Sequence, residues 1–227
     1  MPTTPTHPPT QRSEHTREAL LRAGTLLFVE HGFEGASVEQ IAREAGVNKA
    51  LINYHFGGKR GLYVAILDTT FGEIREGLRA LAQSGGTPEQ LLGRMLDLFR
   101  VMAEERRPGF PALMLREAMA PGERFGRLIG PHLAAMVNVV RLIVERGIRE
   151  KRFRKVDPLL THLAMIGGMA FFFATQKGRE HLAVQGAFPG RFPTGEEFVE
   201  YMKGLMLNGL AVERAPRRPR SERSRAK

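Results

Sequence analysis

Twenty residues, Ser37 to Phe56 (SVEQIAREAGVNKALINYHF), constrain this chain more than any other stretch. Ser37 and Gln40 have the spacing of a capping box, in which the Ser hydroxyl accepts from a backbone N–H three residues on and the Gln reaches back. Val38, Ile41, Ala42 and Ala45 then fall at i, i+3, i+4 and i+7, one apolar face of a helix. Gly46 stands where that helix must stop, because glycine takes the left-handed conformation at little cost. Asn48 is placed to cap a second helix. There Ile52 and Phe56 point one way, while Lys49, Ala50, Asn53, Tyr54 and His55 are left outward. So short a helix does not stand alone in water and needs a scaffold. Two short helices at a tight turn, the second with an outward polar face, form the helix-turn-helix arrangement that places the second helix in a DNA major groove.

The flanks extend the pattern. From Thr16 to Tyr63 the order is an amphipathic helix, E-x-G-F, the S-x-x-x-I-A helix, A-G-V, Y-H-F and K-x-x-L-Y. Over residues from about Glu14 to Ile74 this order resembles the N-terminal domain of the TetR family of bacterial transcriptional regulators. The A-L-I-N-Y-H-F variant and the M-L-R-E-x-M-x-P-G segment, Met114 to Gly122, resemble a subgroup of it. The resemblance implies an all-α fold of about nine helices. A three-helix helix-turn-helix domain comes first, and a helical domain for ligand binding and dimerisation follows.

It further implies a homodimer on a palindromic operator in double-stranded DNA, its half-sites about one turn, roughly 34–36 Å, apart. The expected regulator is a repressor released by a small effector. Carried onto this chain, the DNA-binding residues are Ser37, Asn48, Lys49, Ala50, Asn53, Tyr54, His55 and Lys59. Lys49, Ala50 and Asn53 would meet base edges; Ser37, Tyr54, His55 and Lys59 would hold phosphates. Two positions depart from the family pattern. Asn53 replaces an aromatic residue that touches the DNA backbone, but Asn can pair bidentately with adenine. Gly58 replaces a Ser or Asn cap of the fourth helix, and Gly is an acceptable cap. An activator, a regulator answering to a partner protein, and a carrier or enzyme that has lost DNA binding stay open as alternatives.

Composition excludes other classes. The chain has 227 residues and no cysteine, so thiolate chemistry and disulfides are ruled out. The histidines show no H-x-x-x-H or H-E-x-x-H spacing, and neither a phosphate loop nor a G-x-S-x-G elbow occurs. No catalytic residue, metal site or cofactor is expected. The N-terminus lacks a signal-peptide core. The most apolar run, Leu163 to Ala174, is shorter than the about 20 residues a membrane span needs. A cytoplasmic protein without membrane contact is therefore expected. Net charge is +10, yet the residues through Arg75 hold eight Lys/Arg and eight Asp/Glu. The excess lies in Arg141 to Lys155 and in the C-terminal tail, so overall charge supports DNA binding only weakly.

The expected divisions are a disordered arm over 1–13, the DNA-binding domain over 14–74, an effector and dimerisation domain over 75–212, and a basic disordered tail over 213–227. A first helix is expected from Thr16 to His31, and a long fourth helix from Lys59 to Ala82 joins the domains. Further caps stand at Thr87/Gln90, Asp157-Pro158 and Thr194/Glu197, and a Gly/Pro-rich loop is expected from Lys177 to Thr194. Every methionine but the first lies after residue 94, and methionine suits pockets that accept varied apolar shapes. The resemblance, rather than methionine content alone, implies an effector site in this domain; its candidate residues are Met95, Phe99, Met102, Met114, Arg116, Met136, Asn138, His162, Met165 and Met169, and the effector is expected to be largely apolar. Two helices, 158–174 and 195–212, are expected to form the dimer face through Ile166, Gly167, Phe173, Val199, Met202 and Met206.

Overall fold

The computed structural model describes residues 11–119, 125–187 and 190–212. The expected N-terminal arm up to residue 10 and the expected tail, 213–227, lie outside the described residues. Among the described residues the fold is all-α, with ten α-helices, two π-helical turns and no strand. The helices are α1 (Gln11–Gly35), α2 (Val38–Glu44), α3 (Ala50–Phe56), α4 (Lys59–Gln83), α5 (Pro88–Val101), α6 (Phe110–Met119), α7 (Gly130–Arg149), α8 (Pro158–Ala174), α9 (Gln176–Val184) and α10 (Gly195–Leu210).

Local chemistry sets most boundaries. The capping boxes at Ser37/Gln40, Thr87/Gln90 and Thr194/Glu197 are all closed. The Asp157 side chain accepts from Leu160 N at 2.9 Å and starts α8. Three expectations need correction. Helix α1 starts at Gln11, ahead of the expected Thr16; Gly32, just past the expected end, does break the helix, at φ 73° and ψ 175°, and a short further turn runs on to Gly35. The helix expected through Glu105 leaves α geometry at Val101 and continues as a π-helical turn, Met102–Arg106. The loop expected from Lys177 holds α9, whose residues are all exposed or half-buried, so it lacked the apolar stripe that marks a helix in a sequence.

Among the described residues, buried side chains form two clusters. One lies under α1 to α4 and takes in Phe110 and Leu113 of α6. The other lies between the end of α4 and helices α5, α7, α8 and α10. Ile74 and Met136 pack against both, so residue 74, the expected domain boundary, falls inside α4 on a shared contact. Helix α6 packs on α8 and on α1, and α7 packs on α8 and α5. By length and composition the helical stretch Gly126–Arg149 could cross a membrane. It nonetheless carries Arg141–Glu145 and Arg146–Glu150 pairs on its outer side and buries Val140, Ile143 and Val144 against its neighbours.

Candidate nucleic-acid interface and apolar cavity

The recognition helix is positioned from beneath. Ile52 is fully buried, as are Leu20, Phe28, Ile41, Leu62 and Tyr63 around it. Phe28, Phe33 and Tyr63 form an aromatic cluster with ring centroids 5.0–5.8 Å apart. At the start of α3 the Asn48 side chain accepts from Ala50 N at 2.8 Å, so Asn48 caps the helix. At its end Gly57 and Gly58 have φ of 69° and 108°, conformations a side chain would strain. This gives Gly58 a backbone reason to stand where a Ser or Asn cap was expected.

Gly61 is a determinant that the sequence reading missed. A Cβ there would sit 1.6 Å from the carbonyl oxygen of Phe56. Helix α4 thus crosses the end of α3 at a distance only glycine allows. No cap or periodicity marks such a position, because the constraint comes from the crossing of two helices.

Asn48, Lys49, Ala50, Asn53 and Tyr54 are exposed together on one side of this unit, Tyr54 by 78%, with His55 half-buried beside them. Lys49 reaches back to Glu39 of α2 at 3.1 Å, and this ammonium holds the Glu39 carboxyl below its usual range. The Ser37 hydroxyl accepts from Gln40 N at 3.1 Å and keeps its own proton to donate. Lys59 donates to the carbonyl of Glu34 at 3.2 Å and lies over the Phe33 ring at 4.7 Å. It ties α4 to the end of α1, which differs from the free phosphate contact expected of it.

In the second half of the molecule α4, α5, α6, α7 and α8 surround a cavity of about 130 Å³. Met95, Phe99, Met102, Met114, Met136, His162, Met165 and Met169, eight of the candidate effector residues, line it. So do Phe71, Ile74 and Leu78 of α4. Two candidates lie elsewhere. Arg116 turns away to α1, where it donates to the carbonyl of Glu30 at 3.2 Å and covers the kink at Gly32. Asn138 is exposed and accepts from Arg141 at 2.8 Å. In both cases a polar side chain found a partner outside the cavity, as the cost of burying one unpaired requires.

His132 of α7 stacks on Phe71 with centroids 4.3 Å apart, accompanied by Arg75 at 2.8 Å and Asp68 at 3.8 Å. Burial, aided by Arg75 and opposed by Asp68, pushes its pKa down. This cluster joins α4 to α7 at the edge of the cavity.

The expected dimer residues fare unevenly. Phe173, Val199 and Met202 are buried within the protomer, Met206 packs on the same core, and Ile166 lines the cavity; of the six, only Gly167 is exposed. The sequence marked the two helices as apolar but not which of their faces turns outward. The outward sides carry Leu160, Leu163 and Phe171 on α8, and Tyr201 and Leu205 on α10.

With this geometry in hand, comparison with known proteins is specific. The model for bacterial regulatory proteins of the tetR family matches residues 20–66, which span the aromatic cluster and the recognition helix. The transcriptional repressor NicS of Pseudomonas putida is 29% identical over 170 residues, 74% of this chain and 79% of that protein. The transcriptional regulator RutR of Escherichia coli is 43% identical over 144 residues, 63% of this chain and 66% of that one. The crystal structure of HlyIIR, a hemolysin II transcriptional regulator, shares the fold with a TM-score of 0.63 at 22% identity, covering 88% of this chain and 99% of that one. A scaffolded helix-turn-helix with an exposed polar second helix, in a chain with these likenesses, belongs to the TetR family of DNA-binding transcriptional regulators.

Proposed function

We propose that this regulator is a cytoplasmic homodimeric repressor, released from a palindromic operator by a small, largely apolar effector taken up in the cavity. The observation that carries the reading is that α4 belongs to both sites. Its residues Leu62 and Tyr63 are locked into the core under the recognition helix, and Phe71, about two turns on, lines the cavity. An effector that prefers one position of α4 changes the separation of the two recognition helices. It can shift the equilibrium only by as much as it prefers that position. The relative NicS is named a repressor, which supports the sign of regulation.

Lys49, Ala50 and Asn53 read base edges, while Ser37, Tyr54 and His55 hold phosphates. Lys59 joins the phosphate set only by leaving the carbonyl of Glu34. For the dimer, the supporting observation is the apolar outer side of α8 and α10, because a protomer rarely leaves so much large apolar surface exposed on adjacent helices without a partner. The test is selection of bound genomic fragments by the purified protein at near-physiological salt. Enrichment of a palindrome, with affinity that falls steeply as salt rises, is the expected result. No enrichment with effector-free protein would overturn the reading.

A further inference from the structure

Among the described residues the cavity has one polar side chain. Among its lining residues all others are Phe, Leu, Ile, Val, Ala, Pro or Met, and the exception is His162 of α8. His162 is 5% exposed, and among the described residues its Nδ1 has no hydrogen-bond partner and is closed off from solvent and from the cavity alike. A buried ring nitrogen left unpaired is a standing cost, which native proteins rarely carry without use. Burial also pushes the pKa of His162 down, so the ring stays neutral. A charged ligand would find no counter-charge on the cavity wall, and its desolvation would go uncompensated.

Size and wall chemistry narrow the ligand further. A dry cavity of roughly 150 Å³ lined by aliphatic and aromatic side chains takes up benzene, and this one is of similar volume at about 130 Å³. Methionine sulfurs favour the edges of aromatic rings, and six methionines contribute to the wall. A hydroxyl both donates and accepts, so it can pair with Nδ1 in either tautomer of the imidazole.

We propose that the effector is a neutral, compact, mainly hydrocarbon molecule with a single hydroxyl, of the alkylphenol class, and that the His162 ring turns on binding to present Nδ1 to that hydroxyl. The proposal rests on the cavity being the effector site and adds the polar anchor and the ligand class.

The test is calorimetric titration of the full chain with p-cresol and with toluene, its counterpart without the hydroxyl. The preference for p-cresol over toluene should fall about tenfold in His162→Leu, the size of one buried hydrogen bond. His162→Gln, which keeps a donor and an acceptor, should retain part of that preference. In the wild-type protein the ¹⁵N resonance of Nδ1 should move with p-cresol and stay with toluene, a readout that needs no variant to fold. If both ligands bind while the resonance and the preference ignore the hydroxyl, His162 is not the anchor, although the cavity remains a binding site. If neither ligand binds the wild-type protein, the ligand class falls. A cavity that also takes up no other small apolar molecule from a screened set would remove the effector-site reading with it.

Discussion

The two halves of this molecule differ in how tightly each atom is specified. Around the recognition helix there is no slack. Ile52, Leu62 and Tyr63 are fully buried, two successive glycines hold left-handed conformations, and Gly61 admits no added carbon. Around the cavity the wall is made of flexible methionines and the packing leaves about 130 Å³ unfilled. A surface that must match a rigid duplex needs a fixed geometry. A site that must accept a small guest needs space, and unbranched side chains that can move aside. The contrast is between rigidity in one half and under-packing in the other, which is what the proposed DNA and effector sites would each require.

The strongest way to break this contrast is to add one carbon to the rigid half. Gly61→Ala puts a methyl on the carbonyl of Phe56, and neither backbone can yield without moving α3 relative to α4. The expected loss is about 3 kcal/mol of stability or more, with operator binding abolished. Urea denaturation and a gel-shift titration read both. A variant of wild-type stability would show that the helix crossing is loose and that the contrast is false.

Next in size is the reading face itself. Asn53→Ala removes an exposed side chain, so folding and dimerisation should be unchanged. Operator affinity should fall by about 1–3 kcal/mol, the value of one bidentate base contact. The loss should be confined to the base pair that Asn53 reads. A uniform loss across sequences would assign Asn53 to a phosphate instead.

The same contrast explains what was legible in the sequence. The rigid half is built from local rules, so Ser37, Gln40, Gly46, Asn48 and Ile52 could each be given a structural role from spacing alone. Gly61 could not, since its constraint comes from a neighbouring helix rather than from neighbouring residues. In the second half the family resemblance, with the methionine content beside it, pointed to an apolar cavity, and six methionines line it. The apolar face pattern failed where a helix is apolar all round. Phe173 and Phe171 are two residues apart on α8, yet the first is core and the second is exposed. Arg116 and Asn138 were misplaced because a polar residue on an apolar helix reads the same whether it faces a cavity or reaches past it to a carbonyl.

Adding one carbon to the other half should have the opposite sign. Val140 is buried and lines the cavity, and Val140→Ile extends it by a methylene. The variant should gain up to about 0.8 kcal/mol of stability by burying that group in vacant space. It should also weaken uptake of p-cresol. Denaturation and titration check the two effects. A destabilised variant would mean that the wall is as tightly packed as the recognition scaffold.

The smallest expected effect concerns Glu39, which sharpens the comparison because it sits on the rigid half without belonging to its core. Glu39 is exposed and holds Lys49 at 3.1 Å, so the protein without DNA keeps the cation proposed to read bases paired with a carboxylate. Exposed pairs contribute little to stability, and Glu39→Gln should leave the melting temperature unchanged. Its effect should fall on DNA. The substitution frees Lys49 and removes a negative charge beside the phosphate backbone, so affinity for non-operator DNA should rise about two- to fivefold at low salt. Operator affinity should rise less, because there the proposed base contact would already compete Lys49 away from Glu39. The ratio of operator to non-operator binding should therefore fall, and Glu39 would act as a guard against indiscriminate binding. Equal affinities for wild type and variant on both DNAs would place the Glu39–Lys49 pair away from the duplex and remove Lys49 from the reading face.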